Sequence, residues 1–374
     1  MKKPSLLYYF AKAKRLQAEG KDVLGFTLTS PEFSPPPWLK EEVQKIYEKS
    51  FPYLPSGGDF ELRRKLADHY SQKWTTKFEE KNLFVGAGGK EVLYVLLSLL
   101  LKKGGEVVVF SPHWATYPKV VDILHGKTKY VVGSEKDGFY PSVDKLKKVI
   151  TAKTRVVILN SPNNPTGRIA KEEDVKALAE LALKKNFILI CDEVYENYDY
   201  ENVYVSALKH FNKNVFCVFS SSKSFSLCGW RVGWGVGDSN IIQDMINVQS
   251  EISTSPNSLS QLALKSVFDS PQRLSDYLAE TRAMAKERRD LAVAFLKEKN
   301  INFIYPEGCI AIFIKIPQKY KDSFAFTDDL LEKDLVSVAP GSIFGVKNYF
   351  RMNLSVSIDY LKKGLERIAK YYEN

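Results

Sequence analysis

The 374-residue sequence predicts an α/β fold in which a mostly parallel central sheet is flanked by helices and joined to a smaller α+β domain. Three observations point to it. Short apolar runs bounded by turn residues recur along residues 83–236, as expected of strands buried on both faces of a sheet. Between them, Lys90 to Leu101 and Lys171 to Lys185 have helical periodicity and are long enough for the crossovers that parallel pairing needs. The chain is also too long for one core, which favours a large domain with a companion.

In chain order, a basic helix-like stretch comes first. Ser30-Pro31-Glu32-Phe33-Ser34-Pro35-Pro36-Pro37 then cannot be helix, because proline lacks the donor and restricts the residue before it, so this segment reads as an extended arm. From Trp38 to Tyr70 the apolar spacing fits helices interrupted by Ser56-Gly57-Gly58. Strands are expected at Leu83 to Val85, Glu106 to Phe110, Lys129 to Val132, Arg155 to Leu159, Phe187 to Cys191, Val215 to Ser220 and Trp230 to Val236. Near Ser270 the character changes. A long charged helix with Arg282, Lys286, Arg288 and Arg289 precedes strands near Phe303 and from Ile310 to Ile316, and a last helix runs from Tyr360. The expected division is a large domain over 38–270, with 1–37 and 271–374 forming the smaller domain and its N-terminal arm.

Composition narrows the function. Hydrophobic residues at 44% and charged residues at 26% describe an ordinary folded protein and exclude a disordered one. A formal charge of +10 raises the question of nucleic acid, but dense basic clusters are absent. Lys145-Leu146-Lys147-Lys148 and Lys362-Lys363 lie beside Asp144 and Glu366 and read as solvated helix faces. No nucleic-acid partner is expected; the positive balance suits anionic small molecules. Cys191, Cys217, Cys228 and Cys309 have no CxxC spacing and no histidine partners, so reduced thiols are expected and no metal. Met1-Lys2-Lys3-Pro4 leads into Tyr and Lys instead of a secretory apolar core, and the longest apolar stretch, Val92 to Leu101, is about half a membrane span. A cytoplasmic chain without a membrane partner is the expectation.

In open α/β sheets, functional groups gather where strands end at their carboxyl edge. Asp192 follows Phe187 to Cys191, Asn160 to Gly167 follows the run ending at Leu159, and Ser220-Ser221-Ser222-Lys223 follows the run ending at Phe219. Singly, each has a bland explanation: a helix cap, a turn, one lysine among many. Gly86-Ala87-Gly88-Gly89-Lys90-Glu91 opens a helix, where backbone donors favour a phosphate. It is neither the dinucleotide fingerprint nor a Walker loop, which needs Ser or Thr after the lysine.

Taken in order, Tyr53, Gly88-Gly89-Lys90, Ser111-Pro112-His113-Trp114, Ser161-Pro162-Asn163-Asn164-Pro165-Thr166-Gly167, Asp192-Glu193-Val194-Tyr195, Ser220-x-x-Lys223, Arg231 and Arg351 form a pattern spanning nearly the whole chain. It resembles the fold-type I pyridoxal-phosphate enzymes and, within them, the class I and II aminotransferases, aspartate aminotransferase-like members included. The resemblance implies pyridoxal 5'-phosphate as cofactor and transfer of an amino group from an L-amino acid to a 2-oxo acid. Lys223 would carry the cofactor as a Schiff base and later move the substrate Cα proton. Asp192 would keep the ring nitrogen protonated, which a cofactor working as an electron sink requires. Asn164 and Tyr195 would hydrogen-bond the ring oxygen, and Trp114 would stack on the ring. Gly88, Gly89, Lys90, Ser220, Ser222 and Arg231 would cradle the phosphate, with Tyr53 reaching it from the other subunit of a homodimer with shared active sites. Arg351 would grip the substrate α-carboxylate as a bidentate fork, with Thr29, Trp114 and Asn164 also facing substrate.

Two segments depart from that pattern. Thr29, in Thr27-Leu28-Thr29-Ser30-Pro31-Glu32-Phe33, stands where relatives usually carry a glycine whose backbone approaches the substrate, and Gly308-Cys309-Ile310-Ala311 lacks the aromatic residues that commonly follow such a glycine. The position of a partner-subunit arginine for a distal carboxylate holds Ser250, followed by Glu251, and Lys90 could serve instead. Aspartate and aromatic amino acids both remain as donors, and a C–S β-lyase sharing these cofactor residues is the alternative reaction.

Overall fold

The computed structural model describes residues 4–48 and 51–373; Met1-Lys2-Lys3, read above as a non-secretory start, lie outside them. Seven strands form the central sheet. Their spatial order is Leu83–Gly86, Gly233–Val236, Val215–Ser220, Ile188–Asp192, Thr154–Asn160, Glu106–Ser111 and Lys127–Val132. All neighbours are parallel except Gly233–Val236, which runs antiparallel to both of its neighbours.

Alternating side chains explain why these runs are apolar throughout. Val108, Leu159, Leu189 and Phe219 point into one core, whereas Val107, Ile158, Ile190 and Val218 point into another on the opposite face. Each face needs a helical cover. Leu62, Leu66 and Tyr70 of helix Phe60–Trp74 and Val175, Leu178 and Ala182 of helix Glu172–Lys185 cover the first. Val92, Val95 and Leu96 of helix Gly89–Leu100 cover the second. Local chemistry fixes the helix ends: Asp59 accepts from Leu62 N at 2.8 Å, and Asn186 stops its helix in the left-handed region at φ 57.

Beyond helix Pro271–Glu298, an antiparallel sheet orders Ala339–Pro340, Tyr349–Asn353, Ala311–Lys315 and Phe303–Ile304. Near the other end of the chain, Leu24–Gly25 pairs in parallel with Val336–Ser337. Leu24 and Phe26 share a core with Ile312, Phe350, Leu361 and Leu365, so the arm is built into the C-terminal part of the molecule.

The Ser30–Pro37 segment contains no helix, as proline chemistry requires. Expected strands recur with shifted edges: Lys127 precedes the expected start at Lys129, and Asp192 is the last residue of its strand instead of the first beyond it. The largest difference is at 230–236. Cys228–Trp230 is a 3₁₀ turn and Arg231 is left-handed at φ 54, so the strand begins only at Gly233. The guanidinium of Arg231 turns back to Cys228 O and Ala87 O, a tertiary contact that apolar patterning does not encode. Helix Val143–Val149 carries Lys145, Lys147 and Lys148 on its exposed side, with Lys147 paired to Asp144 at 3.0 Å. Among the described residues no helix is long and apolar enough to cross a membrane.

Candidate active site

Asn160, Asp192 and Ser220 end three neighbouring strands, and the loops beyond them deliver Asn164, Tyr195 and Lys223 to one edge of the sheet. Asn160, which the sequence pattern did not single out, organises this corner. Its side chain accepts from Asn164 N at 2.7 Å and donates to Asp192 O at 2.8 Å.

Lys223 sits in the short helix Ser221–Ser224 with its ammonium donating to the backbone oxygen of Thr29 and lying 5.9 Å from the Tyr195 ring centroid. Burial lowers its pKa, because a desolvated ammonium favours its neutral form; Cys228 and Cys309 oppose that, and Arg351 and Arg231 add to it. Asp192 is buried, and Tyr117 donates to its Oδ2 at 2.5 Å. Burial pushes this carboxyl up to about 6 against the Tyr117 bond, the Val194 amide and the charge of Lys223. The field of the ammonium thus reaches the acid, as a shared site demands.

Arg351, on an inner strand of the antiparallel sheet, is 1% exposed. Its Nη1 donates to Asn164 Oδ1 at 2.9 Å, its Nη2 to Thr27 O, and its Nε has no partner. No carboxylate pairs with it among the described residues, and burial pushes it down to about 10. A buried guanidinium without an acid is costly unless a ligand anion completes it. Tyr195, also buried, donates to Thr29 Oγ1 at 2.9 Å.

The helix starting at Gly89 leaves its first N–H groups without intrahelical acceptors. Gly88 needs φ 85, and a Cβ there would lie 2.4 Å from Nη2 of Arg231, so the missing side chain makes room for the cation. Ser220 and Ser222 are buried alongside, Ser222 N donating to Ser220 Oγ at 3.2 Å. Lys90 lies 5.2 Å from the Trp114 ring centroid. Burial, then repulsion from Arg231 and Lys119, lowers its pKa. Tyr53 is set apart, 87% exposed, as is Ser250, whose hydroxyl bonds Asn247 O and Glu251.

These groups suit pyridoxal phosphate: a half-buried amine, a buried carboxylate, and a glycine cradle with an arginine at a helix start. Sequence reading missed Tyr117, Asn160 and Thr27. Tyr117 follows Trp114 by three residues, and that helical spacing was its only signal. Cys191, Glu193 and Cys217 come together beneath the site, their ligand-capable atoms all within 4.8 Å. Glu193 already accepts from Tyr204 at 2.6 Å, Ala207 N at 2.9 Å and Ser206, which makes it an anchor for the following loop.

The model of the aminotransferase class I and II family matches residues 21–368. The chain belongs to that family. It is 33% identical to aspartate aminotransferase of Bacillus subtilis, with 97% of this chain and 94% of the relative covered. Aspartate/prephenate aminotransferase of Thermus thermophilus is 30% identical over 99% of this chain and 96% of its own length. The solved structure of Thermus thermophilus aspartate aminotransferase with maleate superposes with a TM-score of 0.95 at 30% identity, covering 99% and 97% of the two chains. The protein is therefore a pyridoxal-phosphate-dependent aminotransferase of fold type I, acting on amino acids and 2-oxo acids.

Proposed function

We propose that this aminotransferase takes its amino group from aspartate, and that Lys223, Asp192 and Arg351 carry the chemistry. The observation that carries the assignment is the convergence of the Lys223 amine, half-buried and within the field of Asp192, and the buried, acid-free Arg351 on one arm through Thr29 O and Thr27 O. Bound pyridoxal phosphate supplies the electron sink for the substrate's Cα–H bonding electrons. The protein must do the rest. Lys223, whose charged form burial disfavours, is the amine that would hold the cofactor and then take the proton from the substrate Cα. Asp192, braced by Tyr117, would hold the proton on the ring nitrogen of the bound cofactor. Asn164 and Tyr195 serve the ring oxygen, Trp114 its face, and Gly88, Gly89, Lys90, Ser220, Ser222 and Arg231 the phosphate.

Arg351 has three N–H groups left to offer a carboxylate, and its Asn164 bond fixes the plane of the fork. Thr29 and Trp114 border the substrate. Aspartate is favoured by the names of the two relatives and by the dicarboxylate, maleate, held by the Thermus structure. Lys90, beside Trp114 and exposed on the single chain, is the cation assigned to the second carboxylate, in place of the partner-subunit arginine whose position Ser250 holds. Tyr53, almost fully exposed on the single chain, fits a tyrosine that completes the other subunit's phosphate site in a cytoplasmic homodimer. Residues 1–37 and 271–374 would close on residues 38–270 when Arg351 takes substrate.

A half-reaction screen tests this reading. Aspartate should bleach the yellow cofactor absorbance faster than phenylalanine or tyrosine, and Lys223→Ala should abolish both colour and turnover. Retention of both by the variant would refute the assignment of Lys223. Pyruvate and ammonia from a cysteine conjugate, without transamination products, would mark a β-lyase instead.

A further inference from the structure

Thr29 departs from the glycine usual at its position, and the structure gives that departure a use. Its hydroxyl meets the Tyr195 phenol at 2.9 Å, in a place where both residues are buried. A buried tyrosine hydroxyl needs a partner, and what surrounds this one restricts the choice. Asp192 already accepts from Tyr117 and Val194 N, the Arg351 guanidinium and the Lys223 ammonium only donate, and the Cys309 thiol is a weak donor and acceptor. Thr29 alone in this set offers a hydroxyl that both accepts and donates well.

The threonine is also held still. Thr27 Oγ1 bonds Ser337 Oγ at 2.6 Å, Ser355 Oγ donates to Ser30 O at 3.0 Å, and Glu32 N donates to Ser355 O at 3.1 Å. The arm is thus pinned on both sides of residue 29, and a β-branched side chain adds its own rotamer restriction. The backbone oxygen of the same residue takes the Lys223 ammonium. One residue touches both the amine and the phenol of the site.

We infer that Thr29 is a positioning residue for Tyr195: its hydroxyl orients the phenol and, by turning its own proton onto the phenol oxygen, strengthens Tyr195 as a donor to the cofactor's ring oxygen. This inference rests on the roles proposed above for Tyr195 and Lys223. Burial raises the phenol pKa well above its ordinary value, and the Thr29 bond works in the opposite direction, which is the sense required. A chained hydrogen bond polarises the next one, so loss of the first weakens the second. A weaker donor to an ionised oxygen raises the proton affinity of the oxygen and of the nitrogen next to it.

The test is a pH titration of the visible absorbance of full-length, cofactor-loaded protein as wild type, Thr29→Val and Thr29→Ser. Thr29→Val keeps the shape and removes the hydroxyl, and should move the midpoint upward by about 0.5 pH unit, about 0.7 kcal/mol at 1.36 kcal/mol per unit. Thr29→Ser should restore the wild-type midpoint. An unmoved midpoint in Thr29→Val, or a serine variant that shifts as far as the valine, overturns the inference. Should the valine variant fail to fold, Thr29→Ala is read against Thr29→Ser in the same way. A wild-type protein that takes up no pyridoxal phosphate would instead defeat the functional reading beneath, so the two failures are distinct.

Discussion

Replacing Arg351 by methionine, which keeps most of the stem volume and removes the guanidinium, separates a substrate-gripping role from a structural one. The structure provides both magnitudes. For function, a fork on the α-carboxylate makes two hydrogen bonds to a charged group, about 1.5–3 kcal/mol each, or about 3–6 kcal/mol together. At 1.36 kcal/mol per tenfold this is a loss of about 10²- to 10⁴-fold in kcat/KM for aspartate. For stability two effects oppose. Burial pushes Arg351 from the ordinary 12.5 down to about 10, so neutralising it relieves roughly 3 kcal/mol in the ligand-free protein. Against that, Asn164 Oδ1 and Thr27 O each lose a donor, at about 1–3 kcal/mol apiece, or about 2–6 kcal/mol together. The middle of that range exceeds the relief by only about 1 kcal/mol, so the melting temperature should move by no more than a few degrees. Stopped-flow half-reactions with aspartate and a thermal melt of the cofactor-free protein read the two quantities. A large drop in melting temperature with less than a tenfold kinetic loss would refute the reasoning, since Arg351 would then be a fold element.

Three further outcomes follow from the same geometry. Asp192→Asn should cut kcat by about 10²–10⁴ while cofactor still binds, as judged by fluorescence titration. In the ligand-free protein Asp192 titrates at about 6 against 3.8 when unfolded, so its contribution is complete below pH 3.8 and lost as pH rises through about 6. Chemical melts should therefore give an Asp192→Asn advantage that grows over that window to roughly 3 kcal/mol, and a flat difference would count against the buried charge. Gly88→Ala must place a Cβ against Arg231 at positive φ, and should weaken pyridoxal-phosphate affinity by at least about tenfold without unfolding the sheet. Tyr53→Phe should weaken cofactor binding about tenfold while sedimentation still reports a dimer; unchanged affinity would remove Tyr53 from the site.

The sheet was legible because its strands are buried on both faces and read as uninterrupted apolar runs, which is why Val215–Ser220 and Glu106–Ser111 stand almost where expected. The segment around Arg231 was not, because its left-handed turn answers to Ala87 O, more than a hundred residues earlier in the chain. Lys223, Asp192 and Asn164 lie at or just beyond strand ends, but it was the ordered resemblance to the aminotransferase pattern that gave them roles. Tyr117 had no signal beyond its spacing from Trp114, and Asn160, though placed just past a strand end, had no role, because only folding turns the two toward Asp192. Thr29 was visible solely as an anomaly, since sequence spacing says nothing of a contact to Tyr195 across 166 positions.

The pairing of Leu24–Gly25 with Val336–Ser337 has a bearing on biosynthesis. During translation the residues that form the seven-stranded sheet emerge long before the partner of the first strand does, so a nascent chain can already own its amine and its acid. It cannot own the substrate's grip until Arg351 has left the ribosome and met Thr27. A cut that frees the arm through Thr27 should therefore loosen the hold on the substrate carboxylate while leaving the sheet, its amine and its acid in place.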